Sequence, residues 1–268
     1  MIGPNDTSDQ TLFPVFFMPH GSPYIDIVEH PVVDFYKDFH KTIERPDAIV
    51  IWTAHWESEV QQISSIVDYE TIHDFGGFPE ELYKMTYPCK GDPTLAKEVQ
   101  ELFKKNGVEA QLDDKRGIDH GAWSILYLMY PDADIPVVQM SVNPNATPEE
   151  IYKIGQSLQP LREKKILVIG SGATVHNLRL MTGPLDAPTE QWALDFDDWL
   201  IKNIKEWNME NLFNYLKDAP LAEKCVPTPE HYHSLLYAAG AGSKNKKVEL
   251  LHRSSMFGNL TYTPYRFD

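Results

Sequence analysis

Five histidines carry the chemistry of this chain, and each sits beside a turn or a helix start. His20 follows the apolar run from Val15 to Met18 and Pro19, and precedes the turn formers Gly21, Ser22 and Pro23. His55 comes after Ala48 to Thr53 with only Ala54 between, and His176 after Lys165 to Gly170 and the small-residue turn SGATV. Runs of this length and composition read as buried strands. Three strands therefore deliver an imidazole at the same end, where open α/β sheets keep their ligand sites. A single histidine so placed is more often a hydrogen-bonded structural residue. Three together point to a divalent-metal site, because histidine is the commonest metal ligand. His120 precedes the apolar stretch Ser124 to Tyr130, and His231 lies where PTPEHYHSLLYAAGAG starts a helix at about Glu230. A histidine before a helix either caps it or hydrogen-bonds a ligand at its N-terminus.

The spacings of 35, 65, 56 and 55 residues match no local zinc signature such as HExxH, so the pattern alone does not fix the chemistry. Three neutral ligands leave positions open on a divalent metal, which suits activation of water or direct chelation of a substrate. Histidines that do not ligate can move protons near neutral pH.

The elements that must position these side chains alternate. Helices are expected over Val32 to Ile43, Pro93 to Asn106, Thr147 to Leu161 with Thr147 as N-cap, Thr189 to Ile204 and Met209 to Leu216. Further strands are expected over Gln61 to Val67, Ile135 to Ser141, Lys247 to Leu251 and Leu260 to Tyr265. The aromatic, glycine-rich stretch His73 to Pro79 reads either as a packed surface loop or as a pocket wall. His30 and His40 read as surface or packing histidines. The alternation predicts one α/β domain over residues 1–268, with three layers and a central mixed, mostly parallel sheet flanked by helices.

Composition sets the bounds. Of 268 residues, 42% are hydrophobic and 24% charged, as in ordinary globular proteins. With 24 Lys and Arg against 39 Asp and Glu, the formal net charge of −15 argues against a nucleic-acid partner or an anionic membrane surface. MIGPNDTSDQ lacks the basic and apolar regions of a leader, and no apolar run approaches the ~18 residues of a membrane helix. Cys89 and Cys225 are too few for a disulfide framework, so a reducing, cytoplasmic setting is expected, with a monomer or small homo-oligomer.

Six blocks carry a resemblance: HGSP at His20, TAHW at His55, DHGAW at His120, GSGATVHNLR around His176, PTPEHY at His231 and YRF at Tyr265 to Phe267. In this order they resemble the DOPA-dioxygenase branch of the class III extradiol ring-cleaving dioxygenases, the LigB-like superfamily. The resemblance implies a mononuclear non-haem metal, Fe(II) when active and often Zn(II) when isolated. It also implies a catechol opened by O2 to a semialdehyde. His20, His55 and His231 match the metal ligands. His176 matches the acid/base histidine, and His120 one that hydrogen-bonds substrate or oxygen. This branch has histidine where more familiar class III enzymes have a carboxylate, and Glu230 stands beside His231 as the alternative ligand. His233, where an aliphatic residue is expected in this branch, reads as an exposed helix residue; turned inward, it would make the pocket more polar. No Arg or Lys is clearly placed to hold a substrate carboxylate, so DOPA-like, caffeate-like and uncharged catechols all stay open. Two other readings are a zinc-dependent hydrolase and a Memo-like binding protein.

Overall fold

Successive strand residues point to opposite faces of a sheet, and the first strand shows the consequence. In β1 (Val15–Pro19), Val15 and Phe17 enter one apolar core while Phe16 and Met18 enter another. A strand buried on both faces has no polar side, which is why this run is apolar throughout. The computed structural model describes residues 12–181 and 183–268; the N-terminal stretch read above as carrying no leader lies outside the described residues.

The chain continues through α1 (Pro31–Asp38), β2 (Ala48–Glu57), β3 (Gln61–Ser64), α2 (Pro93–Lys105), β4 (Ala110–Asp113) and α3 (His120–Met129). Next come β5 (Val137–Val142), α4 (Pro148–Gln156), β6 (Ile166–Gly172), α5 (Gln191–Lys205) and three short helices, α6 (Met209–Phe213), α7 (Tyr215–Asp218) and α8 (Ala222–Cys225). The last elements are α9 (Glu230–Ala241), β7 (Val248–Leu250), β8 (Ser254–Met256), β9 (Leu260–Tyr262) and β10 (Tyr265–Phe267). The main sheet runs β4-β3-β5-β2-β6-β1-β10-β7. Its centre, β5-β2-β6-β1, is parallel, and antiparallel pairings join β3 to β5, β10 to β1 and β7 to β10. Residues of α1 and α3 fill the core on one face; residues of α2, α4, α5 and α9 fill it on the other. The molecule is therefore the three-layer α/β domain with a mixed, mostly parallel sheet that the alternation predicts.

Several boundaries differ from expectation for identifiable reasons. β2 runs past His55 to Glu57, with a register shift against β5 between Trp52 and Glu57, so His55 lies on the strand and not beyond it. Thr147 caps α4 in a capping box with Glu150, but the helix stops at Gln156 and resumes as a tighter turn over Gln159–Lys164. Pro160 has no N–H to bond the Gln156 carbonyl, so the α-helical ladder cannot run on through it. The run Leu260 to Tyr265 is cut at Pro264, which has no N–H for a ladder; β9 pairs with β8 while β10 joins the main sheet. The segment from Met209 to Leu216 divides at Asn214, and the strand begun at Gln61 ends at Ser64. The short β4, β8, α7 and α8 carry too little periodicity to be seen in advance. No helix among the described residues is long and apolar enough to cross a membrane.

Candidate metal centre

Two glycines allow helices to reach the carboxyl end of the sheet. A Cβ on Gly172, the last residue of β6, would strike the His231 carbonyl oxygen, so only glycine lets the start of α9 lie against this strand. A Cβ on Gly121 would come within 2.5 Å of Thr53 Oγ1 and 2.9 Å of His55 Cδ2. Its absence brings the first turn of α3, with His120, against β2. His20 is fixed as the residue after β1 by its N–H, which donates to the Gly172 carbonyl at 3.0 Å.

The result is a cluster of all five histidines. His20, His55 and His231 each offer one ring nitrogen, all within 4.8 Å of one another. His176 stacks on His231 with ring centroids 3.7 Å apart, and His55 and His120 lie 3.9 Å apart. Hydrogen bonds decide which nitrogens face the centre. Ser171 Oγ donates to the Gly121 carbonyl, which can only accept, so His20 Nδ1–H donates to Ser171 Oγ at 2.9 Å. His55 Nδ1–H donates to Asp74 Oδ2 at 2.9 Å. His20 Nε2 therefore carries a lone pair, and His55 Nε2 faces it at 3.1 Å. His231 Nδ1 is buried with no hydrogen-bond partner.

Two ring nitrogens turned on one point and an orphaned third are what a site built for a cation shows. Three neutral imidazoles are a borderline donor set suited to divalent first-row metals. Burial first, then repulsion from the neighbouring imidazoles, hold His20 and His231 well below the usual histidine range, which leaves both imidazoles neutral. The same causes lower His176 to about 3. Burial also works against a charge on His55, but the Asp74 hydrogen bond and the charges of Asp119, Asp74 and Glu230 outweigh it and raise its pKa.

Asp74 ties the cluster together. Its Oδ1 accepts from the His120 backbone N–H at 3.0 Å and from His120 Nδ1–H at 2.8 Å, while Oδ2 takes His55. Burial opposes its ionisation, yet the His120 and His55 hydrogen bonds outweigh burial and hold the carboxyl well below the usual range. Behind α3, Asp119 accepts from Thr53 Oγ1 at 2.6 Å and from Arg116 at 3.0 Å, and Arg116 also donates to the His55 carbonyl. Sequence reasoning missed Asp74, Ser171 and Asp119. Asp74 was within reach as the residue after His73; His73 itself turns away and bonds the Met85 carbonyl.

The candidate residues sort clearly. Glu230 is outside the ligand group; its Oε1 accepts from Thr228 Oγ1 and lies 3.9 Å from His231 Nε2. The expectation of an exposed His233 is corrected: it is 3% exposed and its Nδ1 bonds the Asn143 carbonyl at 3.1 Å. Burial lowers its pKa to about 4, and the Asn143 bond offsets this only in part. His30 caps α1 through its Nδ1, in keeping with a packing role.

A cavity of about 300 Å³ opens onto the centre. Its walls include His55, His120 and His176, the turn Gly21–Tyr24, and Asp74, Phe75, Gly76 and Phe78, so the loop from His73 is a pocket wall. Larger hollows of about 600 and 560 Å³ lie elsewhere and contain none of the five histidines.

Known proteins share this chain's sequence and fold nearly end to end. The family described as the catalytic LigB subunit of aromatic ring-opening dioxygenase matches residues 14–267. A 4,5-DOPA dioxygenase extradiol of Mirabilis jalapa is 38% identical over 92% of this chain and 95% of its own length. The Escherichia coli K12 protein of the same name is 35% identical over 94% of this chain and 93% of its own length. The crystal structure of an uncharacterised Escherichia coli K12 protein superposes with a TM-score of 0.81 at 30% identity, covering 96% of this chain and all of the other. Neither the hydrolase nor the binding-protein reading finds support in these likenesses. A match of this length and identity leaves one conclusion: the chain belongs to the LigB family and is an extradiol, aromatic ring-opening dioxygenase.

Proposed function

We propose that the substrate is a catechol, DOPA-like or caffeate-like, and that His20, His55 and His231 hold the metal, Fe(II) for activity and Zn(II) in its place in isolated protein. The observation that carries this reading is the convergence of one ring nitrogen from each of the three within 4.8 Å, with His20 and His55 Nε2 3.1 Å apart beside the unpartnered His231 nitrogen. Fe(II) there supplies a chelation point for both ring oxygens and an electron path to O2.

The chain supplies orientation and proton transfer. His176 lines the pocket and is neutral at working pH, so it enters with a free lone pair and takes the proton a catechol hydroxyl gives up. Its low pKa makes the imidazolium a ready donor when the proton is returned. His120 commits Nδ1–H to Asp74 and so presents Nε2 to the pocket, where it would accept a hydrogen bond from substrate or, once protonated against Asp74, donate one to O2. Phe75, Phe78 and Tyr24 pack around the ring and limit water.

We also assign residues 1–268 to one catalytic domain, since a single hydrogen-bonded sheet joins Val15 to Phe267. We place it in the cytoplasm as a monomer or small homo-oligomer, with no nucleic-acid or membrane partner; the charge of −15 supports the last of these, since it repels polyanions.

The test is O2 uptake by protein reconstituted anaerobically with Fe(II), given L-DOPA or caffeate. Uptake with a new yellow product, abolished in His176→Ala, is expected. Stoichiometric metal with no uptake on any catechol would overturn the substrate assignment.

A further inference from the structure

The tight turn Leu178–Leu180 follows His176 and Asn177 and reaches the pocket. Leu178 and Met181 both line the cavity, and a spacing of three puts them on one side of such a turn. Arg179 stands between them and is exposed. Buried Asn177 pins the backbone here. Its Oδ1 accepts the Arg179 N–H at 3.2 Å, its Nδ2 donates to the Lys224 carbonyl at 2.8 Å, and its own carbonyl accepts from Asn259 Nδ2 at 3.1 Å. The Arg179 backbone is thus held, while its guanidinium has no partner among the described residues. Other cations of this region are engaged. Lys84, just beyond the loop of Phe75 and Phe78, pairs with Glu80 at 2.7 Å; the Lys224 ammonium lies over the Trp192 ring at 4.2 Å; Arg116 is held by Asp119 at 3.0 Å.

We propose that Arg179 is the clasp for the carboxylate that ends the substrate's tail; the inference rests on the ring-opening reading. With both ring oxygens turned to the histidines, the tail leaves the far side of the ring and points to the mouth. A cavity of about 300 Å³ holds one ring and a short tail, so the tail ends near the rim. The walls there include Phe75, Phe78, Leu178 and Met181, and the one lining carboxylate, Asp74, is committed to His55 and His120. A carboxylate among these groups alone gives up hydration and gains nothing. An arginine fork takes both of its oxygens in parallel, and apolar neighbours that exclude water strengthen the pair. The chain as a whole, at a formal charge of −15, repels an acid, so an unpaired guanidinium at the entrance also directs where one lands.

The experiment compares 3-(3,4-dihydroxyphenyl)propionate with 4-ethylcatechol, which share a ring and differ in the carboxylate, on the parent, Arg179→Met and Arg179→Lys. Equilibrium Kd is measured on Zn(II)-loaded protein and kcat/KM on Fe(II)-loaded protein. In Arg179→Met the preference for the propionate over 4-ethylcatechol is expected to fall about tenfold in both measures, through Kd and KM and not kcat. Arg179→Lys is expected to recover part of that loss, because an ammonium keeps the charge without the fork. Added salt should narrow the preference in the parent more than in Arg179→Met. A preference unchanged in Arg179→Met, or both compounds weakened alike, overturns the clasp. If neither compound is turned over while the Zn(II)-loaded Kd values shift as stated, the ring-opening reading fails and the clasp stands. Turnover of both with an unchanged preference fails the clasp alone.

Discussion

At the scale of single residues, one carboxylate sets the orientation of two imidazoles. Asp74 holds His55 and His120 with their Nδ1–H groups turned outward, so both Nε2 atoms face the reaction space. An Asn here keeps one oxygen but points an N–H₂ at one of the two Nδ1–H donors. Asp74→Asn is therefore expected to weaken Zn(II) binding and to lower kcat, each by roughly 10–100-fold. Competition with a chromophoric chelator measures the first, and unchanged affinity would show that Asp74 does not position a ligand. The five histidines were legible because each adjoins an apolar run or a helix start that fixes its place. Asp74 was not, because it lies in an irregular loop where no periodicity says which way a side chain points. His233 misled because α9 is buried on every side, against β6 and also against α4, and helical spacing identifies an exposed position only on a half-buried helix.

At the scale of elements, the site depends on how closely α9 approaches β6. Gly172 permits contact between strand and helix backbone, and this contact sets the position of His231. Gly172→Ala is expected to cost about 1–3 kcal/mol, because the obstacle is a backbone oxygen that cannot rotate away. It should also lower the amount of Zn(II) retained after dialysis. A variant that melts like the parent and keeps its zinc would show that the helix can shift without consequence. The central strands could be read in sequence since both their faces are buried and they are apolar throughout. The exact end of β2 could not: a register shift lies between partners and leaves no mark in one strand's composition. Of the two edge strands, β7 lies inside the run expected from Lys247 to Leu251, whereas β4, short and half-exposed, gave no signal.

At the scale of the whole molecule, stability should carry the imprint of Asp26. Both its carboxyl oxygens are buried without a hydrogen-bond partner. Burial lifts its pKa to about 7, and the neighbouring Ser124 hydroxyl offsets this only in part. The folded state thus keeps a proton that the unfolded chain releases near 3.8, so this group's contribution is fully present at low pH and is lost as pH rises towards 7. The difference in unfolding free energy between the protein and Asp26→Asn is expected to move in the variant's favour by a few kcal/mol across that window. Denaturant titrations at pH 4 and pH 8 measure it, and a constant difference would mean that Asp26 ionises freely in the fold. The unpartnered nitrogen of His231 extends the same reasoning to a trade-off between durability and function. A buried polar atom without a partner destabilises the protein that carries it, so metal-free His231→Leu should melt above the metal-free parent. With saturating Zn(II) the order should reverse, since binding to the native state alone stabilises only the protein that can bind. The metal-free parent is thus less stable than its metal-loaded form, and a chelator should act on the loaded protein as a denaturant.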